Sequence, residues 1–303
     1  MTEPELALDV LASLVLEDGR RWGEAAQPFQ WTDAREVLAV DSGTPYHFLT
    51  RARGASKTSD LAGISIASML CQLPPAARCY GLAADRDQGR LLLDSIDGFV
   101  SRTPELGGAL VIESYRVIVP NTGIVLEILP ADAASSWGLR PDFVVVDEIA
   151  QWASGYGPRQ LWEAVSSAAA KVPSSRLVVL TTAGDPAHWS RRLLNHAMED
   201  PLWRVHEVPG PAPWMDERRL AEQHRRLTES SYRRLFLNEW TAAEDRLTTA
   251  SDVAACVTLD GPLTHDSRWF YAVGVDVGVK HDRTVGAVCH LEPLGTSEGR
   301  GLK

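Results

Sequence analysis

No stretch of this 303-residue chain approaches the roughly 20 consecutive apolar residues that a membrane-spanning helix needs. Its first residues, MTEPELALDV, carry acids where a secretory signal carries bases. The expectation is a cytoplasmic protein with no membrane association. Cysteine is scarce: Cys71, Cys79, Cys256 and Cys289 form no C-x-x-C pair and stand near no histidine pair at zinc-finger spacing. That excludes a zinc ribbon or finger and predicts reduced, mostly buried thiols. Basic residues are in the minority, 30 Lys and Arg against 40 Asp and Glu, for a formal net charge of -10. Such a balance excludes a protein that coats nucleic acid by bulk electrostatics, because phosphate binding relies on Lys and Arg neutralising the backbone. Internal repeats and low-complexity tracts are missing too. With 45% apolar residues, the chain has enough to bury one large core and a small second unit.

Charge and pattern are unevenly spread. Carboxylates dominate the first fifty residues, whereas arginine pairs recur at Arg191-Arg192, Arg218-Arg219, Arg225-Arg226 and Arg233-Arg234. These pairs mark either solvated helix faces or a surface that tracks DNA. Helices are expected over residues 3–16 and 31–40, the second capped by Thr32 or Asp33. From residue 47 onward, short apolar runs alternate with helical patterns, the signature of a parallel sheet with crossover helices. Strands are read at 47–50, 79–83, 143–146 and 177–181, and a further one at 203–208. Helices are read at 57–70, 160–170, 189–198, 216–227 and 231–240, with another that Asp85 caps. In the helix at 231–240, Tyr232, Leu235, Phe236, Glu239 and Trp240 are expected to share one face. Three β-type runs between Ala109 and Leu129, with a turn at Asn121-Thr122-Gly123, are expected as antiparallel additions at one sheet edge.

The residues with chemistry to offer stand where these strands end. A phosphate loop needs small residues that let backbone N–H groups surround an anion, a lysine for the β and γ phosphates, and a hydroxyl for magnesium. RARGASKT, residues 51–58, has that form. Arg53, Gly54, Ala55, Ser56, Lys57 and Thr58 are the candidate nucleotide contacts, although Arg51 and Ser56 stand where the general pattern has glycine. The loop leaves a strand and enters a helix, so a helix N-terminus points at the anion. FVVVDEIA then puts Asp147 and Glu148 at the C-terminal end of a buried strand, where open α/β sheets bind ligands. An aspartate there can hold magnesium and a glutamate can orient and deprotonate water, though the pair could also simply cap the next helix. The following strand ends in Thr181-Thr182-Ala183-Gly184, which can sense a γ-phosphate or be an ordinary turn. Arg140 is either a surface arginine before a Pro turn or the residue that meets developing charge in phosphoryl transfer. Arg51 and Arg53 compete for that catalytic role.

Taken together and in this order, RARGASKT, GLAADRDQGRLLLD, GLRPDFVVVDEIAQW, LVVLTTAGDP and YRRLFLNEW resemble the large terminase subunit of tailed bacteriophages. The resemblance implies a P-loop NTPase fold, an α/β three-layer sandwich with a mainly parallel sheet, over residues 1–247. It implies ATP and Mg²⁺ as cofactors, with Lys57 and Thr58 in the nucleotide loop, Asp147 on the metal and Glu148 catalytic. Thr181, Thr182 and Gly184 would couple hydrolysis to DNA movement. The implied partners are double-stranded DNA, the portal protein, the small terminase subunit and further copies in a ring, inside a phage-infected or lysogenic host.

That family also carries a ribonuclease-H-like nuclease. Past a linker at 248–267, YAVGVDVGVKHDRTVGAV resembles its opening strands, with Asp276 as a ligand for Mg²⁺ or Mn²⁺ and Asp282 near a hairpin turn. Two-metal cleavage needs several converging carboxylates. The later ones are not in residues 268–303, so the chain alone is expected not to cut DNA. A helicase-like translocase shares the phosphate loop and the acid pair, and a decayed terminase that no longer turns over ATP would keep them as well.

Overall fold

The computed structural model describes residues 2–40, 43–131, 138–242, 254–255, 265–278 and 284–290. The chain forms two compact units, Met1–Asp245 and Arg246–Lys303. In the first, α1 (Glu3–Ser13), the short α2 (Trp22–Ala25) and α3 (Pro28–Leu38) precede β1 (Tyr46–Thr50) and α4 (Lys57–Cys71). There follow β2 (Arg78–Ala83), α5 (Arg86–Arg102), β3 (Val111–Ile112), β4 (Arg116–Val119), β5 (Ile124–Pro130) and β6 (Phe143–Asp147). The unit closes with α6 (Tyr156–Ala169), β7 (Arg176–Thr181), α7 (Trp189–Glu199), β8 (Trp203–Glu207), α8 (Glu217–Arg226) and α9 (Glu229–Leu237).

Eight strands form one sheet in the order β3-β4-β5-β2-β6-β7-β1-β8. Pairing is parallel from β5 across to β8 and antiparallel at β3-β4 and β4-β5. Alternate residues of each strand enter opposite cores. Leu49, Val145, Val178 and Leu180 join the core under α1, α3, α4 and α5. Phe48, Val144, Val146, Leu177 and Val179 join the one under α6 and α7. The central strands read as continuous apolar runs because both faces are covered, giving a three-layer α/β sandwich.

The register sets the chemistry. Thr50 lies opposite Thr181, and Asp147 opposite Leu180, so β1, β7 and β6 end level with one another. Whatever follows each strand therefore meets at a single edge.

Four expectations are corrected. Of the three β-type runs, the last pairs parallel with β2, and only β4 runs against the rest, because a meander of three strands restores the original direction. Helix α3 starts at Pro28, whose fixed φ suits the first helical position, with Gln30 Oε1 accepting from Gln27 N at 2.9 Å. Asp33, read as a cap, lies inside that helix, fully buried. Helix α9 ends at Leu237 because Asn238 takes the left-handed conformation at φ 59°, so Glu239 and Trp240 leave the shared face. Among the thiols, Cys79 is buried and Cys71 half-buried, but Cys289 is exposed, and Cys256 lies outside the described residues.

In the second unit, β9 (Tyr271–Asp276) and β10 (Val285–His290) form an antiparallel pair in which Asp276 opposes Val285. Asp282 and most of the 248–267 stretch lie outside the described residues.

Candidate functional site

The loop between β1 and α4 starts as a continuation of the strand, with Arg51 N donating to Thr181 O at 2.9 Å. Two left-handed residues then turn it, Gly54 at φ 77° and Ser56 at φ 54°. Glycine adopts this conformation freely, whereas a residue with a side chain pays about 1–2 kcal/mol. Ser56 thus shows why the general pattern has glycine at this place. Replacing Ser56 with glycine is expected to stabilise the domain by about 1 kcal/mol, read as a melting temperature higher by roughly 2–4 °C. An unchanged or lower value would show that the serine side chain, not its backbone, governs the turn. Beyond Ser56, the first N–H groups of α4 have no partner within the helix and point out of its N-terminus.

Lys57 is buried, and its ammonium lies 3.0 Å from Ala52 O and 3.1 Å from Glu148 Oε1. Thr58 Oγ1 donates to Asp147 Oδ2 at 2.8 Å, joining the loop to β6. Glu148 is also left-handed, at φ 51°, a strain of about 1–3 kcal/mol of the kind that marks functional sites. The turn brings its carboxylate to the end of β7. There Oε2 accepts from Thr182 N at 2.7 Å and Thr181 Oγ1 at 3.3 Å, and Oε1 accepts from Thr182 Oγ1 at 3.2 Å.

Asp147 is nearly fully buried, and its Oδ1 meets no hydrogen-bond partner. Burial first, then the charge of Glu148, push its carboxyl up to about 7, against the Thr58 hydrogen bond and the Lys57 charge. An orphaned carboxylate oxygen beside a hydroxyl is a hard oxygen donor set, and it fits a magnesium ion. An unfolded aspartate titrates near pH 4. Between about pH 4 and 7 the folded domain therefore keeps a proton that the unfolded chain has lost, and stability falls as the pH rises through that window. Asp147→Asn removes this slope, so the variant is expected to gain on the wild type by a few kcal/mol on moving from about pH 5 to pH 8. Urea unfolding at both pH values checks it, and an equal difference at the two would refute it. His47, held down to about 4 by burial, titrates in the opposite sense in both proteins and cancels in the comparison.

The Thr181–Gly184 loop reaches outward as well. Thr181 Oγ1 accepts from Ala150 N at 3.1 Å, and Ala183 N donates to Asn238 Oδ1 at 3.0 Å. A Cβ on Gly184 would lie 3.0 Å from Ala150 Cβ and 3.2 Å from the Trp240 ring, so a side chain there would push these segments apart by a few tenths of an ångström. Asn238 Nδ2 in turn donates to Thr50 Oγ1 and Val208 O, both at 2.8 Å. Sequence reasoning singled out LFLNEW but gave Asn238 no role. Its signal was an asparagine directly after an apolar helix end, a left-handed cap whose amide is then free to bond elsewhere.

The arginines separate. Arg51, offered as catalytic, is fully buried beneath the loop, where its guanidinium pairs with Asp33 at 2.6 Å and also with Asp60. Burial alone would weaken its charge, and the Asp60 and Asp33 carboxylates more than reverse that. With its guanidinium engaged by these acids and by Ala55 O at 3.4 Å, Arg51 ties the loop to α3 and α4. Arg53 is exposed at the loop, its backbone N donating to Leu235 O. Arg140 is exposed ahead of β6, the strand's length of roughly 13 Å from the end that carries Asp147. It is not placed to act on its own loop. Asp276 ends β9, and no group of three or more His, Cys, Asp or Glu that could hold a metal occurs among the described residues.

A family model described as the ATPase domain of the terminase large subunit matches residues 37–192, just over half of the chain. A search of curated proteins gave no match. Among solved structures, the chain is similar to the large terminase of bacteriophage HK97, with a TM-score of 0.70 and 19% identity over 95% of this chain and 65% of that one. It is similar to the large terminase ATPase domain of Thermus phage P74-26, at TM-score 0.57 and 15% identity, covering 71% of this chain and 94% of that one. The large terminase of a thermophilic bacteriophage, solved in complex with ADP, gives TM-score 0.56 and 13% identity over 95% and 65% of the two chains. At these identities the likeness is one of fold. The chain spans 65% of the length of the HK97 protein and of the ADP-bound one.

Proposed function

Since this chain belongs to the family of phage terminase large subunits through its ATPase domain, we propose that it hydrolyses ATP to drive double-stranded DNA into a capsid. The observation that carries the proposal is the junction of three level strand ends, where Lys57 meets Glu148 and Thr58 meets Asp147. The large terminase of the thermophilic bacteriophage, solved with ADP and with ATP-γ-S, gives the same fold a nucleotide ligand.

In this reading the N–H groups of α4 and the Lys57 ammonium bind the β and γ phosphates. Thr58 and Asp147 hold magnesium, which when bound neutralises charge on the phosphate oxygens. Glu148, fixed by Thr181 and Thr182, orients the attacking water and takes its proton. Loss of the γ-phosphate changes what Lys57 and Glu148 hold. The Thr182 contacts carry that change to the Gly184 turn, Asn238 and Trp240. Arg53 serves the same loop, whereas Arg140 serves a neighbouring subunit's loop in a ring assembled at the portal with the small terminase subunit. The β9–β10 hairpin belongs to a ribonuclease-H-like nuclease. Cleavage that needs Mg²⁺ or Mn²⁺ and disappears in Asp276→Ala would give that hairpin a working site.

The test of the motor reading is ATP turnover with duplex DNA of unrelated sequences. Stimulation should be the same for each sequence and should weaken with salt, because the contacts are to phosphates. Turnover indifferent to DNA at every protein concentration would sink the translocation part of the proposal.

A further inference from the structure

Helix α8 buries none of its residues, yet it is held at both ends. Asp216 caps it by accepting from Arg219 N at 2.8 Å, and His224 bonds Glu229 at 2.6 Å and packs on Tyr232 of α9. Half-buried Leu220, Gln223 and Leu227 give its inner face. At 100° per residue, Arg218 and Arg225 stand on the opposite face, about 10 Å apart along the axis, with Ala221 between them. Arg219 and Arg226 flank that face. Arg219 pairs with Asp216 at 3.2 Å and Arg226 with Glu222 at 2.5 Å. Arg218 and Arg225 are exposed and have no ion pair among the described residues. On this arc four arginines stand with Glu222, and exposed Glu217 borders it on the other side, in a chain whose net charge is -10.

Packing does not account for an outward basic ridge of this kind. We infer that the Arg218–Arg225 face of α8 is a duplex-DNA contact that binds backbone phosphates. The inference rests on the motor reading and says where on this chain the DNA lies. An acidic chain can meet a polyanion only through local basic islands. A rigid helix repeating guanidinium groups every two turns suits a regular row of phosphates better than it suits one acidic spot on a protein. The ridge is also tied to the nucleotide loop. Trp214, two residues before the α8 cap, donates its indole N–H to Gly54 O at 3.0 Å, and Met215 Cε would lie 3.1 Å from a Cβ on Gly54. A shift of the loop therefore reaches α8 through one short segment.

The experiment is a salt titration of duplex-DNA affinity for the full chain, read by anisotropy of a labelled duplex. The slope of log affinity against log salt should become shallower by about one for Arg218→Ala and for Arg225→Ala, and by about two for the double variant. The affinity lost between about 50 and 200 mM salt then shrinks by roughly tenfold in the double variant. Lysine at both positions should restore the slope, and DNA-free ATP turnover should be unchanged. A double variant with the wild-type slope overturns the inference, including the case in which it instead fails to bind an acidic protein partner. So does a wild-type chain that hydrolyses ATP but does not bind duplex at low salt. If the slopes shift as expected in a chain that never turns over ATP, the DNA surface stands and the motor reading falls.

Discussion

Replacing Glu148 with glutamine is expected to lower ATP turnover by a factor of about 10² to 10⁴, the usual contribution of a positioned general base, while leaving nucleotide affinity intact or higher. Glutamine keeps the shape and can still accept from Thr182 N, so the β7 end should not rearrange. What it removes is the negative charge 3.1 Å from the Lys57 ammonium, which competes with a phosphate for that ammonium. Binding and turnover should therefore move apart, and equilibrium binding of a labelled ATP analogue beside steady-state hydrolysis would show it. Turnover within a few-fold of wild type would remove Glu148 from the chemistry. Equal loss of binding and turnover would mean that the carboxylate only shapes the loop.

Arg51→Ala should destabilise the first unit by about 3–5 kcal/mol, because it leaves the buried Asp60 without a counter-charge and Asp33 with only the half-buried His206 imidazole as a charged partner. Asp33 and Asp60 are both buried, and Asp60 keeps only the Trp22 indole at 2.8 Å and the Gln30 amide at 2.9 Å. For a unit of this size the cost corresponds to a melting temperature lower by roughly 6–20 °C. Neutralising both acids in the same protein, with Asp33→Asn and Asp60→Asn beside Arg51→Met, should recover part of the loss, since the penalty is that of unpaired charge. A catalytic Arg51 would behave differently, with turnover lost and the melting temperature within about 2 °C of wild type.

Much of this arrangement could be read from the residues alone, and the reasons are local. FVVVD and RLVVLT are buried on both faces, so they are continuous apolar runs, and each is followed by the polar residues that mark a strand's C-terminal end. Lys57-Thr58 stood out because a strand, a short loop and a helix follow one another without interruption. Long-range pairing was not readable in that way. Nothing near Arg51 in the sequence says that its charge answers Asp33, 18 positions earlier, so an arginine in a phosphate loop looked available for catalysis. Asn238 reaches Thr50 across 188 positions and Ala183 across 55, distances over which spacing carries no signal. The start of α3 was missed because Thr32 and Asp33 are good caps by composition, while Pro28 and the Gln27–Gln30 bond opened the helix a turn earlier.

Magnesium-dependent ATP hydrolysis of the whole chain over a range of protein concentrations, beside Lys57→Ala, decides whether the Lys57 loop and the Asp147-Glu148 pair form a working ATP site. A working site gives turnover that needs magnesium, rises in specific rate as subunits associate, and vanishes together with nucleotide binding in Lys57→Ala. Nucleotide binding or hydrolysis that persists unchanged without the Lys57 ammonium, or concentrated protein that neither binds nor hydrolyses ATP, would contradict it.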